Sequence, residues 1–183
     1  MKLESVFKTS KTGLEVEFRS ASQDEARLEV DYLKQLCGES PFLLSEPEEV
    51  KYTEEGERDF IKQYEDAPNM LMLNAYVNGT FAGNASFAPV SGAGRMAHRA
   101  SLGIGLLAAY CGGGIGELMM NILLEKAAEC GYEIMELDVF AKNERALRLY
   151  RKLGFVERGR LVNAVKYKDG SYDDEIIMQR SLK

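Results

Sequence analysis

With 183 residues, 45% of them hydrophobic and 28% charged, the chain can bury a real core and lacks the bias of a disordered polymer. Its formal net charge of -6 excludes electrostatic attachment to nucleic-acid phosphates and fits a cationic partner better. Three cysteines without a C-x-x-C spacing indicate neither a disulfide framework nor a zinc site and fit a reducing, cytoplasmic compartment, and neither a signal-peptide core nor an apolar run of about 18 residues is present.

Leu14, Val16 and Phe18 alternate with polar or charged residues, the period-two pattern of a strand. Ser22 followed by Glu25 reads as a capping box opening a helix that reaches about Leu36. Residues 37–57 hold two prolines and two glycines among acidic and hydroxyl side chains, and read as a long loop, of the kind that forms a lid or a binding wall, before a short helix at 57–65. Two apolar runs then flank Asn78-Gly79, the strongest short-range hairpin signal in the chain. A strand in 98–110, a helix at 114–130, a strand at 133–140 and a helix at 143–153 follow, and two closing strands flank 168–171. Strand, helix, strand, helix on one sheet requires at least one parallel crossover. No repeat, low-complexity run or linker interrupts this order, so residues 1–183 are expected to form one domain.

Four glycines, Gly112, Gly113, Gly114 and Gly116, lie within five positions where a strand gives way to a helix. Along that helix Ile115, Leu118, Met119, Ile122 and Leu123 recur at three- and four-residue steps, and Gly131 suits its left-handed cap. The first turn of a helix has four amide N–H groups without an internal partner and a partial positive charge. Glycines there let several N–H groups converge on one anion, a pyrophosphate above all. Glu117-Leu118 after the last glycine rules out a Walker loop, and no glycine completes a Rossmann fingerprint.

The second constellation is "NERALRLYRKLGF". Asn143 is a good N-cap and Gly154 a good residue to end the helix, while Ala146, Leu149, Tyr150 and Leu153 form its apolar stripe. Asn143 and Tyr150, seven residues apart, fall on nearly the same face.

"CGGGIGELMM" together with "NERALRLYRKLGF" resembles the acetyl-coenzyme A binding core of the GNAT N-acetyltransferase superfamily, and the likeness runs from about Leu71 to Leu182. The tail "VERGRLVNAVKYKDGSYDDEIIM" is similar to the branch that holds spermidine and ribosomal-protein N-terminal acetyltransferases. The resemblance implies an α/β (α+β) three-layer fold, with a mixed, mostly antiparallel sheet of about seven strands and helices on both faces. It further implies that Ile104, Gly105 and Leu106 pair with the pantetheine arm of acetyl-CoA, and that Cys111, Gly112, Gly113, Gly114, Ile115, Gly116 and Glu117 hold the pyrophosphate. Asn143, Ala146, Leu149 and Lys152 would line the coenzyme along the second helix, with Tyr150 as proton donor to the departing thiolate and no metal. Homodimers are common in the family.

The sequence departs from the family pattern in two places. Cys111 and Gly113 stand where relatives carry Gln or Arg and a basic side chain, so the loop itself brings less positive charge to the phosphates. Ser101 stands where spermidine acetyltransferases place an acid, so polyamine specificity is not supported.

Acetyl transfer to an amine requires a neutral nitrogen, a stabilised oxyanion and a protonated leaving thiolate. Strand N–H groups at Ile104 to Leu106 and the Tyr150 phenol serve the last two needs. For the base, Glu136, Asp138 and a water relay stay open, and His98, the only histidine, is left out of the site. The acidic run from Glu46 to Glu57 is either a solvated segment or an attractor for a cationic amine. The expected function is transfer of an acetyl group from acetyl-CoA to a primary amine of a small molecule or a protein N-terminus, without nucleic acid or membrane. The alternatives are a coenzyme-binding sensor without chemistry and a purely structural α/β domain.

Overall fold

The computed structural model describes residues 1–183. In chain order the elements are β1 (Val6–Thr9), β2 (Glu15–Ser20), α1 (Ala26–Glu39), α2 (Glu54–Asp66), β3 (Leu71–Val77), β4 (Thr80–Pro89), β5 (Arg99–Leu106), α3 (Ile115–Glu129), β6 (Ile134–Phe140), α4 (Glu144–Lys152), β7 (Val156–Lys166) and β8 (Tyr172–Ser181). The strands form one sheet in the order β1-β2-β3-β4-β5-β6-β8-β7. Every pairing is antiparallel except β5 with β6, which α3 connects as a crossover.

Every residue of β3 is buried, because helices cover both faces of the sheet at that strand. Leu71, Leu73, Ala75 and Val77 point to one side, into a 28-residue core completed by Met119 and Leu123 of α3 and by Leu147 and Tyr150 of α4. Met72 and Tyr76 leave the other side, where Ile61 and Tyr64 of α2 and Tyr32 and Leu36 of α1 receive them. Each fully buried aliphatic or Met side chain here contributes about 1.5–3 kcal/mol.

The local signals act as expected in most places. Ser22 and Glu25 complete their capping box, through a short 3-10 turn that runs into α1. Asn78 and Gly79 both adopt positive φ, which the tight β3–β4 turn requires. Gly131 and Gly154, at φ 86° and 83°, follow α3 and α4 in the left-handed conformation that suits a residue without Cβ. Two expectations need correction. The sheet has eight strands rather than seven, because the short, mostly exposed β1, "VFKT", carries no run of apolar alternation yet pairs with β2. The apolar stripe of α4 is also wider than expected: Leu147 joins Tyr150 and Leu153 in the core, while Ala146 and Leu149, half-buried, pack against it beside a cleft.

β5 positions that cleft. It pairs with β4 along seven residues, from Pro89↔Ala100 to Gly83↔Leu106, but with β6 only at Arg99, Ala100 and Ser101. Beyond Ser101 the two parallel strands part, and the edge of β5 from Leu102 to Leu106 has no strand partner. No helix is long and apolar enough to cross a membrane.

Candidate active site

Two cavities meet where β5 and β6 separate. The larger, about 860 Å³, runs along the free edge of β5, the glycine turn and α4. The smaller, about 410 Å³, lies between α1, the loop of residues 40–53 and strands β5, β6 and β8. Leu36, Phe42, Leu43, Ile104, Asn143 and Tyr150 line both, so Tyr150 stands at their junction.

The larger cavity ends at the glycine turn. The amide N–H groups of Gly112, Gly113, Gly114, Ile115, Gly116 and Glu117 donate to no protein acceptor, a run of six consecutive unpaired donors at the positive end of α3. Gly112 and Gly114 take φ values of 84° and 89°, which side-chain-bearing residues rarely adopt, and this bends the chain so that helix and turn share one concave surface. Ile104, Gly105, Leu106, Cys111, Gly112, Gly114, Gly116 and Glu117 all line the cavity, as do Asn143, Ala146, Leu149 and Lys152. Two residues expected in the loop do not. The Ile115 side chain is in the core, 1% exposed, and Gly113 is turned toward the N-terminal hairpin, its carbonyl accepting a hydrogen bond from Lys11 N at 3.0 Å.

That hairpin supplies charge the loop lacks. The Lys11 side chain lies across Gly114 so closely that a Cβ there would meet Lys11 Cγ at 2.9 Å. Lys11 Nζ donates to Glu117 at 2.5 Å, and Lys152 Nζ donates to the same carboxylate at 2.6 Å. The two ammonium groups hold the Glu117 carboxyl below its ordinary range, Lys11 first and Lys152 second. Five Lys and Arg side chains line the larger cavity against three Glu, in a chain of net charge -6. Sequence patterning had no signal for Lys11, because the residue reaches the turn only through β1–β2 pairing.

Tyr150 is 7% exposed, and its hydroxyl, which keeps some access to the cavities, has no hydrogen-bond partner. Burial pushes its pKa up to about 12, so the phenol keeps its proton across the physiological range. Asn143 caps α4 by accepting from Ala146 N at 3.2 Å.

The two acids left open on β6 have different surroundings. Glu136 is held by Arg99, with one contact at 2.7 Å, and accepts from Gln179 at 3.1 Å. Asp138 has no such partner and lines the smaller cavity; partial desolvation, then the neighbouring Glu136, holds its carboxyl above the usual aspartate value. Geometry therefore separates two residues that the strand pattern presents as equivalent. His98 lies before β5 and lines neither cavity. The acidic run is divided as well. Glu46 and Glu48 pair with Lys168 of the β7–β8 turn, Glu54 pairs with Arg58, and Glu57 is buried. The first of these contacts tie the loop of residues 40–53 to the β7–β8 turn.

The model of the acetyltransferase (GNAT) family matches residues 39–155, which include the glycine turn, β6 and α4. The chain belongs to this family. Its fold agrees: the acetyltransferase of the GNAT family from Streptococcus pneumoniae superposes with a TM-score of 0.86 at 25% identity, covering 91% of this chain and 99% of that one. The yncA protein of Salmonella typhimurium, solved with its cofactor acetyl-CoA, has the same fold, with a TM-score of 0.81 at 18% identity over 92% of this chain and 94% of that one. The L-amino acid N-acyltransferase MnaT of Escherichia coli is 28% identical over 105 residues, 57% of this chain and 60% of that protein. The matched stretches span between 32% and 60% of the curated relatives' own lengths.

Proposed function

We propose that this GNAT protein moves an acetyl group from acetyl-CoA to a primary amine, of a small molecule or a protein N-terminus, within a complex that holds both. One observation carries the reading. Two cavities of opposite charge character meet at a buried, unpartnered phenol, the larger edged by basic side chains and unpaired amides and the smaller by carboxylates.

The residues fit the coenzyme by shape as well as charge. The unpaired N–H groups of the glycine turn and the Lys11 ammonium beside it would supply donors to a pyrophosphate, and the open edge of β5 from Ile104 to Leu106 suits an extended arm that pairs as a further strand. Lys152, Ala146 and Leu149 flank that path on α4. Gly113 and Ile115 would contribute through main-chain N–H groups alone. When bound, acetyl-CoA supplies an activated acyl thioester.

The chain's own groups would then divide the remaining tasks. β5 amides orient the acyl carbonyl and donate hydrogen bonds to its oxygen. Asp138, the β6 acid without a protein partner, takes the proton that the incoming ammonium must lose. Tyr150, protonated at neutral pH, gives its hydroxyl proton to the leaving sulfur and regains one from the nitrogen, which sheds its second proton as the amide forms. Phe42, Leu43 and the rest of the 40–53 loop exclude water from the junction.

Thiol release from acetyl-CoA over a panel of amines tests the reading, with Tyr150→Phe as the decisive variant. The expected result is turnover by the parent protein and a kcat about 100-fold or more lower in the variant. The coenzyme-induced thermal shift should be the same in both. Bound coenzyme without turnover on any amine would instead favour a sensor.

A further inference from the structure

Resting on the transferase reading above, we propose that the acceptor is an amine carried on an apolar body, with no carboxylate beside the nitrogen. The smaller cavity specifies this class through the residues it has and those it lacks. Its charged lining groups are two acids, Asp138 and Glu175, and it contains no Lys, Arg or His. Asp138 pairs across the strands with Ile177, and Glu175 is two residues along β8, so the carboxyl groups are diagonal neighbours about 7 Å apart at their backbones. Neither has a cation or hydrogen-bond donor from the protein. The nearby Arg99 is already held by Glu136.

Two unpaired carboxylates at one end of the cavity, Asp138 exposed and Glu175 half-buried, favour a single ammonium between them and disfavour any further negative charge. An α-carboxylate sits within a few ångströms of its amine, so binding the amine at the Asp138 end carries that carboxylate into the same field. The neutral donors nearby, Ser45, Tyr52 and Asn143, offer it no compensating charge.

The rest of the lining is apolar. Leu33, Leu36, Val139 and Phe140 form the inner wall, and Leu44 and Tyr52, 85% and 51% exposed, extend it toward the mouth. An exposed apolar rim continuous with a buried apolar wall marks a path for a hydrophobic body. The unpartnered Tyr150 hydroxyl, on a side chain more than nine-tenths buried, lines the far end, where the acyl group must be delivered. This class differs from the L-amino acids for which the Escherichia coli relative is named.

The test compares 2-phenylethylamine, phenylalanine amide and phenylalanine, which share one apolar body and differ next to the nitrogen. Each is measured for kcat/KM with acetyl-CoA and for affinity to the CoA-loaded protein. The amine and the amide should exceed phenylalanine by at least about tenfold in both, and Glu175→Gln should narrow that gap. Equal or better use of phenylalanine would overturn the proposal, as would failure of all three to bind. Selective binding of the amines without turnover would uphold the acceptor class and reject the transferase reading instead.

Discussion

Lys11 and Glu117 are 106 residues apart in sequence, yet the Lys11 ammonium lies 2.5 Å from the Glu117 carboxylate, on the first turn of α3. A residue from an edge hairpin thus places a positive charge beside the run of unpaired amides, where the loop itself has Cys111 and Gly113. Glu117 holds Lys11 and Lys152 together, which keeps both cations beside the turn before any anion arrives.

Replacing Lys11 with Ala should therefore weaken coenzyme A binding by about tenfold, the order expected for one charge-assisted hydrogen bond. Titration calorimetry at two salt concentrations checks it. The parent should lose more affinity than the variant as salt rises, and pantetheine, which has no pyrophosphate, should bind both alike.

Asp138 predicts the acid limb of the rate profile. Its carboxyl is held above the ordinary aspartate value of 3.8 by desolvation and by Glu136, and a base acts only when ionised. Turnover should rise with pH as Asp138 loses its proton, with an inflection displaced upward from that of a free aspartate. In Asp138→Asn this limb should vanish and kcat/KM should fall by about 100-fold or more, whereas Glu136→Gln should keep the limb.

Gly83 controls the free edge of β5 from behind. Its φ is 153°, and an added Cβ would stand 2.2 Å from the Gly105 carbonyl oxygen and 2.8 Å from Leu106 Cα, both backbone atoms that cannot rotate away. Gly83→Ala should cost about 3 kcal/mol of stability, read as a lower urea midpoint at an unchanged slope. Any folded fraction should bind coenzyme A more weakly, because β5 must shift.

Glu29 on α1 is fully buried, with one oxygen accepting from Asn84 at 2.8 Å and the other without a partner. Desolvation raises its pKa to about 7 from 4.5. Between those values the folded chain keeps a proton that the unfolded chain releases, so stability should fall as pH rises through this window and level off above it. The loss is about 3 kcal/mol at about 1.4 kcal/mol per pKa unit. Glu29→Gln should flatten the profile and be more stable than the parent at pH 8, as denaturation at several pH values would report.

Local chemistry made much of this fold legible beforehand. Asn78-Gly79 could only turn tightly, Ser22 and Glu25 could satisfy the first amides of a helix, and Gly131 and Gly154 could end helices where other residues would be strained. The glycine turn and the face shared by Asn143 and Tyr150 were likewise visible, since helix periodicity and unpaired first-turn amides follow from backbone geometry alone. These are short-range consequences, each decided within a few residues.

What remained hidden depended on which distant segments meet. Nothing in "TSKTG" marks Lys11 as a neighbour of Gly114, and β1 itself has too little apolar alternation to announce a strand. Glu136 and Asp138 look alike in "MELDVF" until Arg99 takes one and leaves the other facing a cavity. The acidic loop reads as one charged run, yet tertiary contacts assign Glu46 and Glu48 to Lys168 and bury Glu57. Backbone conformation is set mainly by near neighbours, whereas the charge state and availability of a side chain are set by whatever the folded sheet brings against it.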